Sequence, residues 1–422
     1  MNIAMFSNAY EPVIGGLQRS IATFAQDFRD QGHRVLIVTL EFPGAEASDD
    51  TVFRLPAIKT VAGTEYSIKL PVPAGLSERL DAFAPDVIHS HHPFMVGDTA
   101  LRVARRRALP LVFTHHTLYE RYTYLFYDES EGLKQMAAAI ATQYANLCDL
   151  VVAPTNSINC MIRERGVRVP VDVIPTGIDV ERYANGRGGD FRRAHKIPRA
   201  AFVLGYLGRV VEAKNMAYLT RVAVDVLAAC PDTWFLVVGD GDAAEAVRRQ
   251  VQDAGVADRV VMTGSLEGRA VVDAYAAMDV FAFASKTETQ GIVLIESLCA
   301  GVPVVALDAC GTRDILQDGE TGWILDSDTS CDQFARALRH VKDAPEQLSA
   351  MRTKARRHAR DFDRKRCAEQ LLAAYARLCE QSARPVADDT DFWPAIQERF
   401  ATEWDLFKEK LAAVVAATSG MD

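Results

Sequence analysis

A chain of 422 residues exceeds what one hydrophobic core ordinarily serves, and 49% apolar with 24% charged residues describes an ordinary globular protein, here of two domains. The net charge of −9 and a pI near 5.6 lack the basic excess of a nucleic-acid binder, so no nucleic-acid partner is expected. Eight scattered cysteines without a CxxC pair read as reduced thiols in a cytoplasmic protein, with neither a disulfide framework nor a zinc site. The opening MNIAMFSNAY is a strand and loop rather than a secretory signal. No stretch reaches the roughly 18 uninterrupted apolar residues that a membrane span needs.

In chain order, residues 2–8 (NIAMFSN) read as a strand, 17–31 as a helix and 33–40 as a second strand. Strands follow at 86–90, 109–114 and 149–154, with helices near 97–107 and 133–148, and the strand 171–175 closes the series. These Val-, Ile- and Leu-rich runs alternate little between faces, as parallel strands covered on both sides do. The helices between them imply right-handed crossovers. YANGRGGDFRRAHKIPRA (183–200) breaks the pattern with Gly, charge and Pro, which marks a boundary. Strands then resume at 202–208, 233–241, 259–264, 279–285 and 302–307.

The expected architecture is α/β: two Rossmann-like doubly wound domains, residues 1–183 and 184–365, facing a cleft at the carboxyl ends of their strands. From about residue 340 the chain reads as helical. A helix over 366–390 is expected to return to the first domain, and 391–422 to form an amphipathic tail. Trp393, Ile396, Phe400, Trp404, Phe407, Leu411 and Val414 make a stripe at spacings of three and four. The net acidic polar face favours packing on the protein itself or on a second subunit, as in a homodimer, over membrane contact.

The stretch SKTETQGIVLIESLCAGVPVV (285–305) carries Glu288 just before a helix and Glu296 within its first turns. A helix N-terminus attracts phosphate, and Gly291 lets a ligand approach the backbone. Carboxylates beside it suit a ligand that also carries hydroxyl groups. By spacing alone, a capping glutamate and a solvated one would explain the pair better.

The pattern S-x-x-E-x-x-G-x-x-x-x-E-x-x-x-x-G-x-P-V-V is carried by Ser285, Glu288, Gly291, Glu296, Gly301, Pro303, Val304 and Val305. It resembles the signature of retaining glycosyltransferases of the GT-B fold, the large family 4 (group 1) that includes sucrose synthase and bacterial mannosyl- and glucosyltransferases. That resemblance implies that Glu288 contacts the donor sugar and Glu296 the ribose, with Thr289, Gln290 and Gly291 completing the donor loop. Gln290 stands where Phe is frequent.

Further matches stand in the order the family implies. In EPVIGGLQRS (11–20), Gly15 and Gly16 resemble the glycine pair beside the donor diphosphate. In LGRVVEAKN (207–215), Arg209 and Lys214 resemble the pair that neutralises the leaving diphosphate, whose charge grows as the glycosidic bond breaks. In VFTHHTLYERYTYLF (112–126), T-x-H-T singles out His116 rather than His115 as the histidine near the donor sugar. Adjacent histidines without a third ligand do not suggest zinc. GDGD (239–242) reads as a turn rather than an Asp-x-Asp metal motif. In HSHHPF (89–94), core or loop roles are favoured, with His91 and His92 left as acceptor-side candidates.

The resemblance implies transfer of a hexose from a UDP- or GDP-sugar to a hydroxyl acceptor with retention, through His116, Glu288, Arg209 and Lys214. No metal or other cofactor is implied. The donor base is expected near residues 259–266. HHTLYERYTYLF, IPTGID (174–179) and TETQG are similar to stretches of bacterial diacylglycerol glucosyltransferases. That likeness implies a lipid or lipid-linked acceptor and peripheral contact with the inner face of the cytoplasmic membrane. Tyr119, Tyr122, Tyr124 and Phe126 would form an amphipathic wall there. Arg102, Arg105, Arg106 and Arg107 read better as a solvated helix end than as a headgroup site. A sugar-nucleotide epimerase and a non-catalytic scaffold remain as other readings, the latter opposed by the intact site residues.

Overall fold

The computed structural model describes residues 1–13, 15–42, 44–56, 74–121 and 131–381. The first sheet contains β1 (Asn2–Phe6), β2 (Arg34–Leu40), β3 (Val52–Leu55), β4 (Val87–Ser90), β5 (Leu111–Thr114), β6 (Leu150–Ala153) and β7 (Val171–Val173). The second contains β8 (Phe202–Leu207), β9 (Thr233–Val238), β10 (Val260–Met262), β11 (Val280–Phe283), β12 (Val304–Leu307) and β13 (Gly322–Leu325). Their orders are β3-β2-β1-β4-β5-β6-β7 and β10-β9-β8-β11-β12-β13. Every pairing is parallel.

Both sheets are therefore Rossmann-like, and the strand order reverses between β1 and β4 in one and between β8 and β11 in the other. Those reversals open a crevice at the carboxyl ends of the strands, where ligands bind in such folds. Central strands are apolar throughout, as cover on both faces demands: Ile3, Ala4, Met5 and Phe6 of β1 are fully buried, as are Val280, Phe281 and Ala282 of β11. The sequence reading does not anticipate β3 and β13. Both are short edge strands, partly exposed along most of their length, so neither presents a long apolar run.

The chain passes between the sheets twice. The first passage runs from β7 through residues 174–179 to the helix Val180–Ala184, and the second runs through residues 362–364 into the helix Arg364–Gln381. The two passages touch backbone to backbone: Ile178 N–H donates to the Phe362 carbonyl at 2.9 Å and Arg364 N–H to the Ile178 carbonyl at 3.0 Å. Arg364 also pairs at 2.6 Å with Asp27, a buried carboxylate on the helix Gly16–Asp30.

The helix Arg364–Gln381 then lies on the first domain. There Cys367, Leu371 and Tyr375 join the core of Ile3, Phe24 and Phe28. Tyr375 OH meets His89 Nδ1 at the end of β4. The amphipathic stripe over 391–422 lies outside the described residues.

Gly177 sits where the passages meet, and a Cβ there would fall 2.3 Å from the Arg364 Cα. Neither atom belongs to a mobile side-chain tip, so the backbones must separate. Gly177→Ala should lower stability by about 1–3 kcal/mol in urea denaturation. A change within about 0.5 kcal/mol, the usual range for a surface substitution, would contradict so close an approach.

Candidate active site

On the second domain the site begins just past β8. Val210 N–H donates to the Asp240 carbonyl at 2.9 Å, Ala243 N–H to the Val210 carbonyl at 3.0 Å, and Tyr206 OH to the Arg209 carbonyl at 2.8 Å. These bonds fix the backbone of Arg209 while its side chain extends into solvent. The GDGD stretch supplies this support as a turn. A Cβ at Gly239 would lie 1.9 Å from the Gly208 carbonyl oxygen, and Asp240 and Asp242 face outward. Lys214 ends a short 3-10 turn, Glu212–Lys214, and its ammonium pairs with Glu288 from the loop after β11. Thr287 Oγ1 ties that loop to the Ala213 carbonyl at 3.2 Å.

Gly291, in the left-handed region at φ 72°, leads into the helix Ile292–Ala300, which carries Glu296 in its second turn. The Glu296 carboxylate is buried, and it accepts from Tyr183 OH at 2.7 Å, from Tyr275 OH at 2.8 Å and from Arg19 across the cleft. Burial and the neighbouring carboxylate push both tyrosines well above their ordinary value, so both stay protonated donors. Arg19 is raised by the same carboxylate.

On the first domain, Gly15 and Gly16 open the helix Gly16–Asp30, and a Cβ on Gly16 would lie 3.7 Å from Ile292 Cδ1. The two helix starts thus face each other directly. His116 follows β5, and its Nε2 lies 2.9 Å from His91 Nδ1. His92 Nδ1 accepts from Asn8 N–H at 3.1 Å, and His89 Nε2 lies 2.7 Å from Thr114 Oγ1. His115 points away from this pair, packing near Phe113 and Tyr119. Burial lowers His89 and His92 to about 3 and His115 to about 4, and it lowers His91 and His116 well below the ordinary histidine value. The imidazoles are therefore neutral near pH 7, able to give or take one hydrogen bond at each nitrogen.

The donor loop closes this arrangement. Thr289 Oγ1 donates to the His116 carbonyl at 2.8 Å, and the Thr289 carbonyl accepts from Thr155 Oγ1 at 3.0 Å. Gln290 is buried, and its side-chain amide is occupied by the Thr176 backbone. The structure thus brings His116, Lys214, Glu288, Thr289, Gln290, Gly291, Glu296 and the glycine pair to one interface, with Arg209 exposed at its edge.

Arg19, Tyr183 and Tyr275 were not picked out from sequence. Arg19 did carry a signal: a cation in the first turn of a helix opposes the dipole and needs a partner elsewhere. The tyrosines carry no local sign. Among the arginines of the helix Val96–Arg107, Arg105 donates to the Leu147 carbonyl and Arg107 to Ser77 O and Asp81, which is helix-end packing. Tyr119 is buried, while residues 122, 124 and 126 lie outside the described residues. No group of three or more His, Cys, Asp or Glu side chains among the described residues is arranged to hold a metal ion.

Residues 14–182 match the model of Glycosyltransferase Family 4, and residues 189–358 match that of Glycosyl transferases group 1. A D-inositol 3-phosphate glycosyltransferase of Actinosynnema mirum is 30% identical over 304 residues, 69% of this chain and 72% of its own length. This chain belongs to glycosyltransferase family 4.

The family 4 glycosyltransferase is also 26% identical over 400 residues to the alpha-monoglucosyldiacylglycerol synthase of Acholeplasma laidlawii, covering 90% of this chain and 96% of that one. A GDP-mannose-dependent alpha-mannosyltransferase of Mycobacterium tuberculosis is 27% identical over 333 residues, 77% of this chain and 84% of that one. The crystal structure of Anabaena Alr3699/HepE in complex with UDP superposes with a TM-score of 0.72 at 20% identity, over 89% of this chain and 100% of that one. The fold is GT-B, and the protein is a hexosyltransferase.

The buried histidines should make this glycosyltransferase acid-sensitive. On unfolding, each regains its ordinary value near 6.5, so between that value and about 4 the unfolded chain binds more protons than the folded one. Their stabilisation is complete above pH 6.5 and is lost as the pH falls. Urea denaturation should show a loss of up to about 2 kcal/mol for each of His89, His92 and His115 between pH 7 and pH 5. Unchanged stability over that interval would mean that these rings are solvated.

Proposed function

We propose that this enzyme transfers a hexose, with retention, from a UDP- or GDP-sugar to a hydroxyl group of a lipid or lipid-linked acceptor. The observation that carries the reading is the pairing of Lys214 with Glu288 at the seam where Thr289 meets the His116 carbonyl. A cation for phosphate and a carboxylate for sugar hydroxyls there lie side by side, both largely shielded from solvent.

In this reading the diphosphate lies between the amides after Gly15 and the cations of Arg209 and Lys214. The hexose hydroxyls meet Glu288 and His116, and the ribose meets Glu296. The bond from C1 to the β-phosphate oxygen breaks, and its electron pair stays on that oxygen. Lys214, largely shielded from solvent, and Arg209 from the exposed edge stabilise the growing charge, so that no metal is called on for that task.

The acceptor oxygen attacks C1 from the face the phosphate leaves and passes its proton to that phosphate, which keeps the anomeric configuration. Glu288 is already ion-paired and serves the hydroxyls rather than C1. Glycine pairs, cations and glutamates of this kind leave the acceptor open. The acceptor class is supported by the monoglucosyldiacylglycerol synthase likeness. In this reading a lipid acceptor would be met by peripheral contact at the inner face of the cytoplasmic membrane; no described helix is long and apolar enough to cross a membrane.

Calorimetric titration of the protein with UDP, GDP and ADP tests the donor site. One of UDP or GDP should bind selectively, and Glu296→Gln should weaken it about 10- to 100-fold, because the charge that accepts the ribose hydroxyls is removed. Glutamine preserves the volume: its amide oxygen can accept from one of the Tyr183 and Tyr275 hydroxyls while its NH2 donates to the other. Binding of none of the three by the folded protein would overturn the assignment.

A further inference from the structure

Gln290 departs from the pattern that the rest of the donor loop follows. Its side chain is 4% exposed. Its Oε1 accepts from Thr176 N–H at 2.9 Å, and its Nε2 donates to the Thr176 carbonyl at 2.8 Å. A side-chain amide here completes both backbone groups of one residue, as a neighbouring strand would. Neither a phenylalanine nor an aliphatic side chain could do so, and each would leave two buried backbone groups without partners.

The position of Thr176 gives the pair its meaning. Thr176 lies in the first passage between the domains, two residues before Ile178, which bonds to the second passage. Its hydroxyl meets Ser20 Oγ at 2.7 Å on the helix Gly16–Asp30. Through Gln290 the donor loop is therefore tied to the first passage between the domains, while one residue earlier Thr289 bonds to His116 and Thr155. The carboxylate of Glu288 stands immediately before these fixed points.

We propose that Gln290 is a positioning residue. Its amide bonds to Thr176 hold Glu288 in register with His116 across the domain seam, so that it governs turnover rather than nucleotide affinity. The proposal rests on the donor-site reading above. Nucleotide affinity depends on groups that Gln290 does not hold: the Arg209 backbone is fixed by Tyr206, Lys214 is paired with Glu288, and Glu296 is held by Tyr183, Tyr275 and Arg19. The reacting geometry depends on how that domain's loop meets the first.

Two variants test this with UDP-glucose and GDP-mannose as probe donors, following donor turnover and, by calorimetry, binding of UDP and GDP. Gln290→Met keeps the volume and removes both bonds. It should lower kcat by about 10- to 100-fold, as misplacement of a reacting group by about 1 Å does, with the nucleotide Kd changed by less than about threefold. Gln290→Glu places an ionised carboxylate against the Thr176 carbonyl at neutral pH. When protonated, it regains an O–H donor for that carbonyl. Its kcat relative to the unmodified protein should therefore rise as the pH is lowered.

An active unmodified protein together with an unchanged kcat in Gln290→Met would overturn the positioning role alone. So would a loss of kcat matched by an equal loss of nucleotide affinity. If Gln290→Met fails to fold, Gln290→Glu decides, and the absence of acid rescue overturns the proposal. An unmodified protein that neither binds nor turns over either donor overturns the donor-site reading and this role together.

Discussion

The two passages between the domains, bonded backbone to backbone at Ile178, are the constraint on which the site depends. Each sheet has its own apolar core, but neither contains the whole set of groups that the proposed donor site uses. Arg209, Lys214, Glu288 and Glu296 come from the second domain, and the glycine pair, Arg19 and His116 from the first. Only the relative placement of the sheets brings these together. That placement is held at the passages by the Ile178 bonds, the Asp27–Arg364 pair and the close approach of Gly177 to Arg364, and across the seam by Arg19 with Glu296, Thr289 with His116 and Thr155, and Ser157 with Asp314. The helix Arg364–Gln381, by docking onto the first domain after the chain has left it, turns the linker from a single tether into a paired one.

Within that frame the charged groups partner each other. Lys214 holds Glu288, and Arg19 holds Glu296. In the proposed donor site, a donor entering the cleft would exchange these contacts for its own: diphosphate for carboxylate at Lys214, and ribose hydroxyl for guanidinium at Glu296. Such an exchange limits the desolvation penalty, because Lys214 stays paired with an anion and the buried Glu296 carboxylate keeps its hydrogen bonds from Tyr183 and Tyr275.

Much of this was legible in the sequence, and the reasons are local. β1, β2, β5 and β8 show as apolar runs because cover on both faces leaves no room for polar alternation. Glu288, Glu296, Arg209 and Lys214 are visible because each lies at a fixed distance from a glycine or a strand end that the motif also contains. Other features are relations between distant segments and leave no local mark. Tyr183 and Tyr275 reach Glu296 from helices more than a hundred and about twenty residues away in sequence. Gln290 read as one more donor contact, since only the fold reveals Thr176 beside it. The histidines at the ends of β4 and β5 showed as candidates, but not that His91 and His116 pair with each other.

That pairing has a consequence for how a sugar is met. Two neutral imidazoles joined at 2.9 Å share a single proton between the facing nitrogens, so one ring gives and the other takes. The remaining nitrogen of His116 is then bare if its ring gives, and protonated if its ring takes. Whether a substrate oxygen finds a donor or an acceptor there is thus decided jointly with His91, and reversing it requires both rings to change tautomer in concert. Polarity toward the ligand belongs to the pair, not to either ring.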